Sequence, residues 1–288
     1  MLNVQGKIKS KNPELETRNQ NPMKKAVLKD DALQEFLEEK VRQYNRPSFI
    51  ESDPVSIPHH FSRKEDIEIA GFLSATIAWG KRPIIIRNAN LLMERMDLSP
   101  YEFVVSASAK DLKKLDSFVH RTFNGLDAKF FVLALRNIYL NHGGLENVFL
   151  EGLKKKEENF SPMQNAIVYL RETFISIKHN SRSDKHISNP ASNSSAKRIN
   201  MYLRWMVRQD KAGVDFGIWK SISPALLQIP LDVHVGNVGR HLGLLQRKQS
   251  DWKAVEELTA KLREFDAKDP VKYDFALFGL GIFEGFKK

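Results

Sequence analysis

The sequence contains no cysteine, which excludes disulfide bonds, cysteine-ligated zinc, iron–sulfur clusters and thiol nucleophiles. It also has no uninterrupted apolar run near the roughly 20 residues that a membrane span needs. The first 22 residues lack the apolar core of a signal peptide. We therefore expect no membrane partner, and a cytoplasmic location is the default.

Metal-ligand spacing and a glycine-rich nucleotide loop are absent too. His234 and His241 lie two helical turns apart without a third ligand nearby. Gly279 and Gly281 stand in an apolar helical pattern, where small residues favour close packing of another segment. The sequence therefore predicts no metal and no cofactor.

Basic residues exceed acidic ones by 45 to 35, which gives a formal net charge of +10. Six basic and two acidic side chains fall within residues 1–25, so four of the ten charges lie there. Because this segment is polar and lacks hydrophobic periodicity, we expect residues 1–28 to form a disordered basic tail, with Met23 an alternative start. The moderate basic excess permits a polyanionic partner without requiring one.

Beyond the tail, apolar residues recur at helical spacing and strand alternation never persists, so the predicted fold is all-α. The helix near 63–79 is apolar around much of its circumference and is expected deep in the core. A polar stretch from Lys178 to Ser195 is either a flexible linker or a functional surface. Further helices are expected near residues 33–41, 83–96, 100–107, 127–141, 145–154, 161–177, 196–208, 251–264 and 270–283.

The helix over 196–208 carries a basic face, because Arg204 and Arg208 each fall within about 20° of Lys197 around the helix axis. Ser194 or Ser195 can cap it. Free helix N–H groups, serine hydroxyls and arginines together suit a phosphate group. The field at a helix start also disfavours a protonated amine, which favours a nucleophilic lysine. The alternative is one solvated lysine among many.

Asp232 stands between Pro230 and the apolar residues that begin the next helical pattern. As a helix N-cap it would accept backbone N–H groups, which keeps a carboxylate ionised. Such a carboxylate can stabilise a cationic transition state or accept a proton from an amine. The alternative is an ordinary capping aspartate.

Aromatic side chains at helical spacing are usually core residues. One or two of Trp79, Trp205, Trp219 and Phe278 could instead stack on a base, and the sequence does not choose which of them.

The segments SAKRINMYLRWMVR and IPLDVHVGNVGRHLGLL together resemble the helix-hairpin-helix DNA glycosylase superfamily, which includes endonuclease III and the archaeal 8-oxoguanine glycosylases. Lys197 matches the Schiff-base lysine of that family, and Asp232 its aspartate. Phe72–Ala75, Thr122–Lys129 and the HGGL segment from His142 resemble further family segments. The whole chain also resembles a conserved bacterial family of unassigned function that ends in a segment like DPVKYDFALFGLG.

The resemblance implies a two-lobed, all-helical enzyme that holds damaged double-stranded DNA in a cleft and flips the target base into a pocket. Residues 63–210 would form a multi-helix lobe that ends in the lysine helix, and residues 211–288 the C-terminal lobe that carries the aspartate. Residues 29–62 would form the N-terminal part of the second lobe. The implied activity is base excision, of an oxidised purine through branch similarity, with an AP lyase step. Location at the nucleoid follows from this reading. Arg198, Arg204, Arg208, Ser194 and Ser195 are then candidate phosphate contacts, and Trp79 and Phe278 candidate base contacts.

The sequence departs from this family in three places. NPASNSS replaces the glycine hairpin, Thr76 stands at the wedge-glutamine position, and 35 positions separate Lys197 from Asp232. The alternatives are a non-catalytic nucleic-acid-binding module that retains the fold, and a helical protein-interaction scaffold. If the glycosylase reading holds, the lysine amine and the aspartate carboxylate should face one open cleft within about 4–8 Å.

Overall fold

The computed structural model describes residues 30–285, and over this range the fold is all-α with one small two-stranded sheet. The predicted tail of residues 1–28, with Met23, lies outside the described residues. None of the helices between residues 30 and 285 is long and apolar enough to cross a membrane. The helices are α1 Asp30–Tyr44, α2 Lys64–Thr76, α3 Arg82–Arg95, α4 Pro100–Ser106, α5 Ala109–Leu112, α6 Gly125–Asn141, α7 Leu145–Leu153, α8 Pro162–Ile175, α9 Lys197–Val207, α10 Val233–His241, α11 Trp252–Phe265 and α12 Tyr273–Phe283.

A β-hairpin and a short helix were not expected from the sequence. The strands β1 Val119–His120 and β2 Phe123–Asn124 form a hairpin of two residue pairs, too short to show alternation. The short helix α5 depends on a reciprocal capping box between Ser108 and Asp111. Both are local features that hydrophobic periodicity does not detect.

The polar stretch before α9 is folded onto the protein rather than extended as a linker. It contains two short 3₁₀ turns, Ser181–His186 and Pro190–Ser192. Arg182 donates to the fully buried carboxylate of Asp127 at 2.9 Å, and the Ser183 hydroxyl donates to it at 2.6 Å. These bonds fasten the stretch to the start of α6.

Helix α2 lies at the centre of the core, as its apolar circumference predicts. Every residue from Ile67 to Thr76 is buried, and α9 packs along this helix. Phe72 contacts the rings of Phe131, Phe174 and Tyr202. The centre of the molecule therefore fixes α9, which carries Lys197 at its first position.

The two glycines of α12 allow close helix contacts, which confirms their predicted packing role. A Cβ at Gly279 would lie 2.2 Å from Cδ2 of Tyr44 in α1, and one at Gly281 would lie 2.9 Å from Cβ of His234 in α10. Helix α12 therefore packs against both α1 and α10, and the latter begins directly after Asp232.

The basic face predicted on α9 is not a phosphate-binding surface. The side chains of Arg204 and Arg208 are only 4% and 3% exposed. Arg204 pairs with Asp215 and Asp274, and Arg208 pairs with Asp215 at 3.0 Å. Asp210 and Asp269 also pair with Arg208. The prediction of phosphate contacts by these two arginines is wrong, because carboxylates from other segments pair with both side chains and both are buried.

Candidate functional site

Lys197 is the first residue of α9, and an unusual backbone precedes it. Ala196 occupies the N-cap position in the left-handed region at φ 47°, and no side chain caps the helix. The Ser194 hydroxyl accepts the amide N–H of Ala196 at 3.2 Å, and the Ser195 carbonyl accepts from the Asn200 side chain at 3.1 Å. The predicted serine cap is therefore wrong, because the chain turns at Ala196, where no side-chain oxygen is available.

Asp232 caps α10 as predicted. Its Oδ1 accepts the backbone N–H of Val235 at 2.9 Å. Its Oδ2 lies 3.8 Å from Nζ of Lys197, close enough for an ion pair but too long for a direct hydrogen bond. The Lys197 side chain is 28% exposed and that of Asp232 is 21% exposed. Two side chains far apart in the sequence thus meet with solvent access.

Both side chains line one open cavity of about 610 Å³, within the usual size range for ligand sites. It lies between α9, α10, α12, the start of α3 and the turns after α1. Apolar walls come largely from aromatic and aliphatic side chains. The charged residues that line it are Asp53, Arg82, Lys197, Arg198, Arg204, Asp232 and Asp274.

The two aromatic residues singled out in the sequence both line this cavity, and each carries a guanidinium group on its ring. The Arg198 guanidinium lies 4.8 Å from the ring centroid of Trp79, and that of Arg82 lies 4.6 Å from the ring centroid of Phe278. Such cation–π contacts hold a long cationic side chain against an aromatic wall. The walls of the cavity therefore combine flat apolar surface with fixed positive charge.

Arg198 is the one predicted phosphate-contact arginine that lines the cavity without a carboxylate partner among the described residues. It donates to the backbone carbonyl of Thr76. Burial lowers the pKa of Arg198 to about 10, so the guanidinium still carries its charge at neutral pH. Thr76 itself is buried, and its side chain is not at the surface as a wedge residue would be.

Two cavity carboxyl groups were missed from the sequence. Burial raises the pKa of Asp274 to about 6, against the opposing effect of Arg204. Burial also raises the pKa of Asp53, although Arg82 opposes it. Asp274 lies in the DPVKYDFALFGLG segment and Asp53 precedes Pro54 in a turn. Each stands in a recognisable segment, but nothing in the neighbouring sequence indicates that its side chain reaches the cavity.

No group of three or more His, Asp and Glu side chains within residues 30–285 is arranged to hold a metal ion. The charged groups that line the cavity are of both signs. This arrangement suits proton transfer and the stabilisation of a developing charge.

Comparison with known proteins finds one family. No curated protein and no solved structure matches the chain. The family described as "Protein of unknown function (DUF2400)" matches residues 53–283, a range that contains every charged residue of the cavity. The chain belongs to this DUF2400 family.

Proposed function

We propose that the protein is a DNA glycosylase with an associated AP lyase activity, in which Lys197 is the nucleophile and Asp232 its anionic partner. The observation that carries the proposal is the 3.8 Å approach of Lys197 Nζ to Asp232 Oδ2 at the wall of an open, aromatic-lined cavity. An amine at a helix start can act as a nucleophile when a fixed carboxylate beside it accepts its proton. The substrate would be a damaged base in double-stranded DNA, flipped into the cavity.

In the first step, Asp232 accepts a proton from the Lys197 ammonium group. The free amine attacks C1′ of the sugar, and the bond from C1′ to the base nitrogen breaks, so that the base leaves with the electron pair and takes up a proton. Asp232 supplies this proton to the departing base and thereby returns to a carboxylate, whose negative charge stabilises the positive charge on the sugar. Because Oδ1 is held by the Val235 N–H, the other oxygen stays directed toward the amine.

In the second step, opening of the sugar ring gives an imine between Lys197 and C1′. Loss of a proton from C2′ then expels the 3′ phosphate by β-elimination. Of the three arginines predicted to contact phosphate, Arg198 remains the candidate, since it is cationic and lines the cavity without a carboxylate partner among the described residues. The DNA would lie across the cavity mouth between the two lobes that the family resemblance implies.

Borohydride reduction tests this proposal, because it converts the imine into a stable covalent adduct. Wild-type protein should form this adduct with duplexes that contain an abasic site or a damaged base. Lys197→Gln should form none, while its binding to undamaged duplex changes little. Lys110 is exposed and lies outside the cavity lining, so Lys110→Gln is the matched control and should react like wild type.

A wild-type protein that forms no adduct with any of these duplexes would contradict the proposal. Steeply salt-dependent DNA binding without adduct formation would instead favour a non-catalytic nucleic-acid-binding module. Absence of such binding would leave a helical protein-interaction scaffold.

A further inference from the structure

Arg82 presents an unused hydrogen-bond donor at the cavity. It is the first residue of α3, and its Nη2 is buried without a hydrogen-bond partner among the described residues. Buried donors in proteins are nearly always bonded, and an unsatisfied one calls for an explanation. The position of the guanidinium is fixed by its contact with the Phe278 ring, 4.6 Å from the centroid. The free donor is therefore held in place rather than mobile.

Asp53 presents an acceptor beside that donor. Its Oδ1 accepts the backbone N–H of Val55 at 3.1 Å, which fixes the carboxylate. Its Oδ2 lies 3.8 Å from Nη2 of Arg82, beyond hydrogen-bond distance. Asp53 and Arg82 thus attract each other as charges, but Oδ2 of Asp53 and Nη2 of Arg82 form no hydrogen bond with each other. Both line the cavity that contains Lys197 and Asp232.

A donor and an acceptor placed side by side are complementary to a base edge that presents an acceptor beside an N–H group. Guanine, hypoxanthine and uracil present such an edge through a carbonyl oxygen next to a ring N–H. Oxidation at C8 of guanine preserves this edge, and deamination of adenine or cytosine creates it. Etheno adducts of adenine and cytosine lack it, because the added ring removes the N–H donor.

We propose that Asp53 and Arg82 read the intact donor–acceptor edge of a base flipped into the cavity, which makes oxidised or deaminated bases substrates and excludes etheno adducts. This inference rests on the proposed glycosylase function and names the substrate class for it. Neither residue touches the sugar in this scheme, so both determine specificity rather than perform the bond-breaking step. Phe278, fixed under Arg82, supplies apolar surface next to that edge.

The test compares excision of several lesions with reaction at a preformed abasic site, which has no base to read. Wild-type protein in excess is mixed with duplexes that contain 8-oxoguanine, hypoxanthine, uracil, 1,N6-ethenoadenine, 3,N4-ethenocytosine or an abasic site. We expect adduct formation at the abasic site and excision of at least one edge-intact base. We expect no excision of either etheno adduct.

Three variants separate reading of the base from other roles. Arg82→Met keeps the apolar stem on Phe278 but removes the donor, and Asp53→Asn keeps an oxygen for the Val55 N–H. Each should reduce excision of the preferred base by about 10- to 100-fold, the effect of one hydrogen bond to a charged group. Arg82→Lys should restore part of the loss. Adduct formation at the abasic site should stay within about 2-fold of wild type, since that reaction needs no base recognition.

Excision of an etheno adduct as fast as any edge-intact base would overturn the inference and leave the glycosylase proposal standing. An equal loss at the abasic site in Arg82→Met and Asp53→Asn would also overturn it, because a structural role affects both reactions. So would a wild-type protein that reacts at the abasic site but excises none of the edge-intact bases. If wild type does not react even at the abasic site, the glycosylase proposal fails and the inference fails with it.

Discussion

Asp232 uses its two carboxylate oxygens for different purposes, and this allows stability and chemistry to be separated. Oδ1 caps α10 by accepting the Val235 N–H at 2.9 Å. Oδ2 faces the Lys197 amine at 3.8 Å. Asparagine at this position can still cap the helix but carries no negative charge, whereas alanine provides neither the cap nor the charge.

The expected effects differ in kind. Asp232→Asn should change the free energy of unfolding by less than about 0.5 kcal/mol, since Asn and Asp are comparable N-caps. Asp232→Ala should lower it by about 1 kcal/mol, a fall in Tm of about 2–4 °C for a chain of this size. Both substitutions remove the charge beside Lys197. Both should therefore slow adduct formation by about 10²- to 10⁴-fold, the range for a lost general base.

Thermal unfolding and single-turnover borohydride trapping on an abasic duplex measure the two effects. Ser108 provides a control, because it caps α5 through the Asp111 N–H at 3.2 Å and does not line the cavity. Ser108→Ala should lose stability without slowing the reaction. If Asp232→Asn traps at the wild-type rate while Asp232→Ala is slow, Asp232 acts only as a helix cap and the reasoning is refuted.

Two further predictions concern the packing and the protonation of α12. Gly279→Ala should lower the free energy of unfolding by about 2 kcal/mol, since the new Cβ would lie 2.2 Å from a ring atom of Tyr44. Gly239→Ala is the control: its Cβ would lie 3.4 Å from the nearest atom, so this substitution should be neutral or stabilising. Urea denaturation of both variants checks this, and equal effects would contradict it. Asp274 has a pKa of about 6 in the folded protein and about 3.9 in the unfolded chain, so the folded state binds the proton first as the pH falls. Its proton uptake should therefore raise wild-type stability relative to Asp274→Asn by about 2 kcal/mol between pH 7 and pH 4, and a flat difference across urea titrations would contradict this.

Local signals in the sequence were sufficient to place the two central residues. A capping aspartate after Pro230 and before an apolar helix predicts the position of Asp232, because an N-cap depends only on its neighbours. The helical pattern after residue 196 likewise places Lys197 in the first turn. Most helix boundaries differ from expectation by only a few residues, since each helix has its own periodic apolar face.

Residues whose environment comes from distant segments were not predictable in the same way. Periodicity places Arg204 and Arg208 on one face of α9 but does not show that Asp215 and Asp274 cover this face. Likewise, Asp53 looks like an ordinary turn residue, and only the folded chain brings it to the cavity. Tertiary contacts thus decide which charges are structural and which remain available to a ligand.

The left-handed backbone at Ala196 was also not predictable, because alanine rarely adopts a positive φ. The sequence offers Ser194 and Ser195 as more favourable caps, and local preference alone selects them. In the structure the chain at Asn193 and Ser194 pairs with the start of α11 around Asp251 and Trp252. This tertiary constraint sets where α9 begins and therefore where the Lys197 amine lies.

Mass-spectrometric mapping of the borohydride-reduced adduct between wild-type protein and an abasic duplex identifies the nucleophile directly. We expect the sugar remnant to be attached at the Nζ atom of the peptide that contains Lys197, and Lys110→Gln protein to give the same peptide. Attachment at another lysine, or no covalent adduct at all, would contradict the role of Lys197.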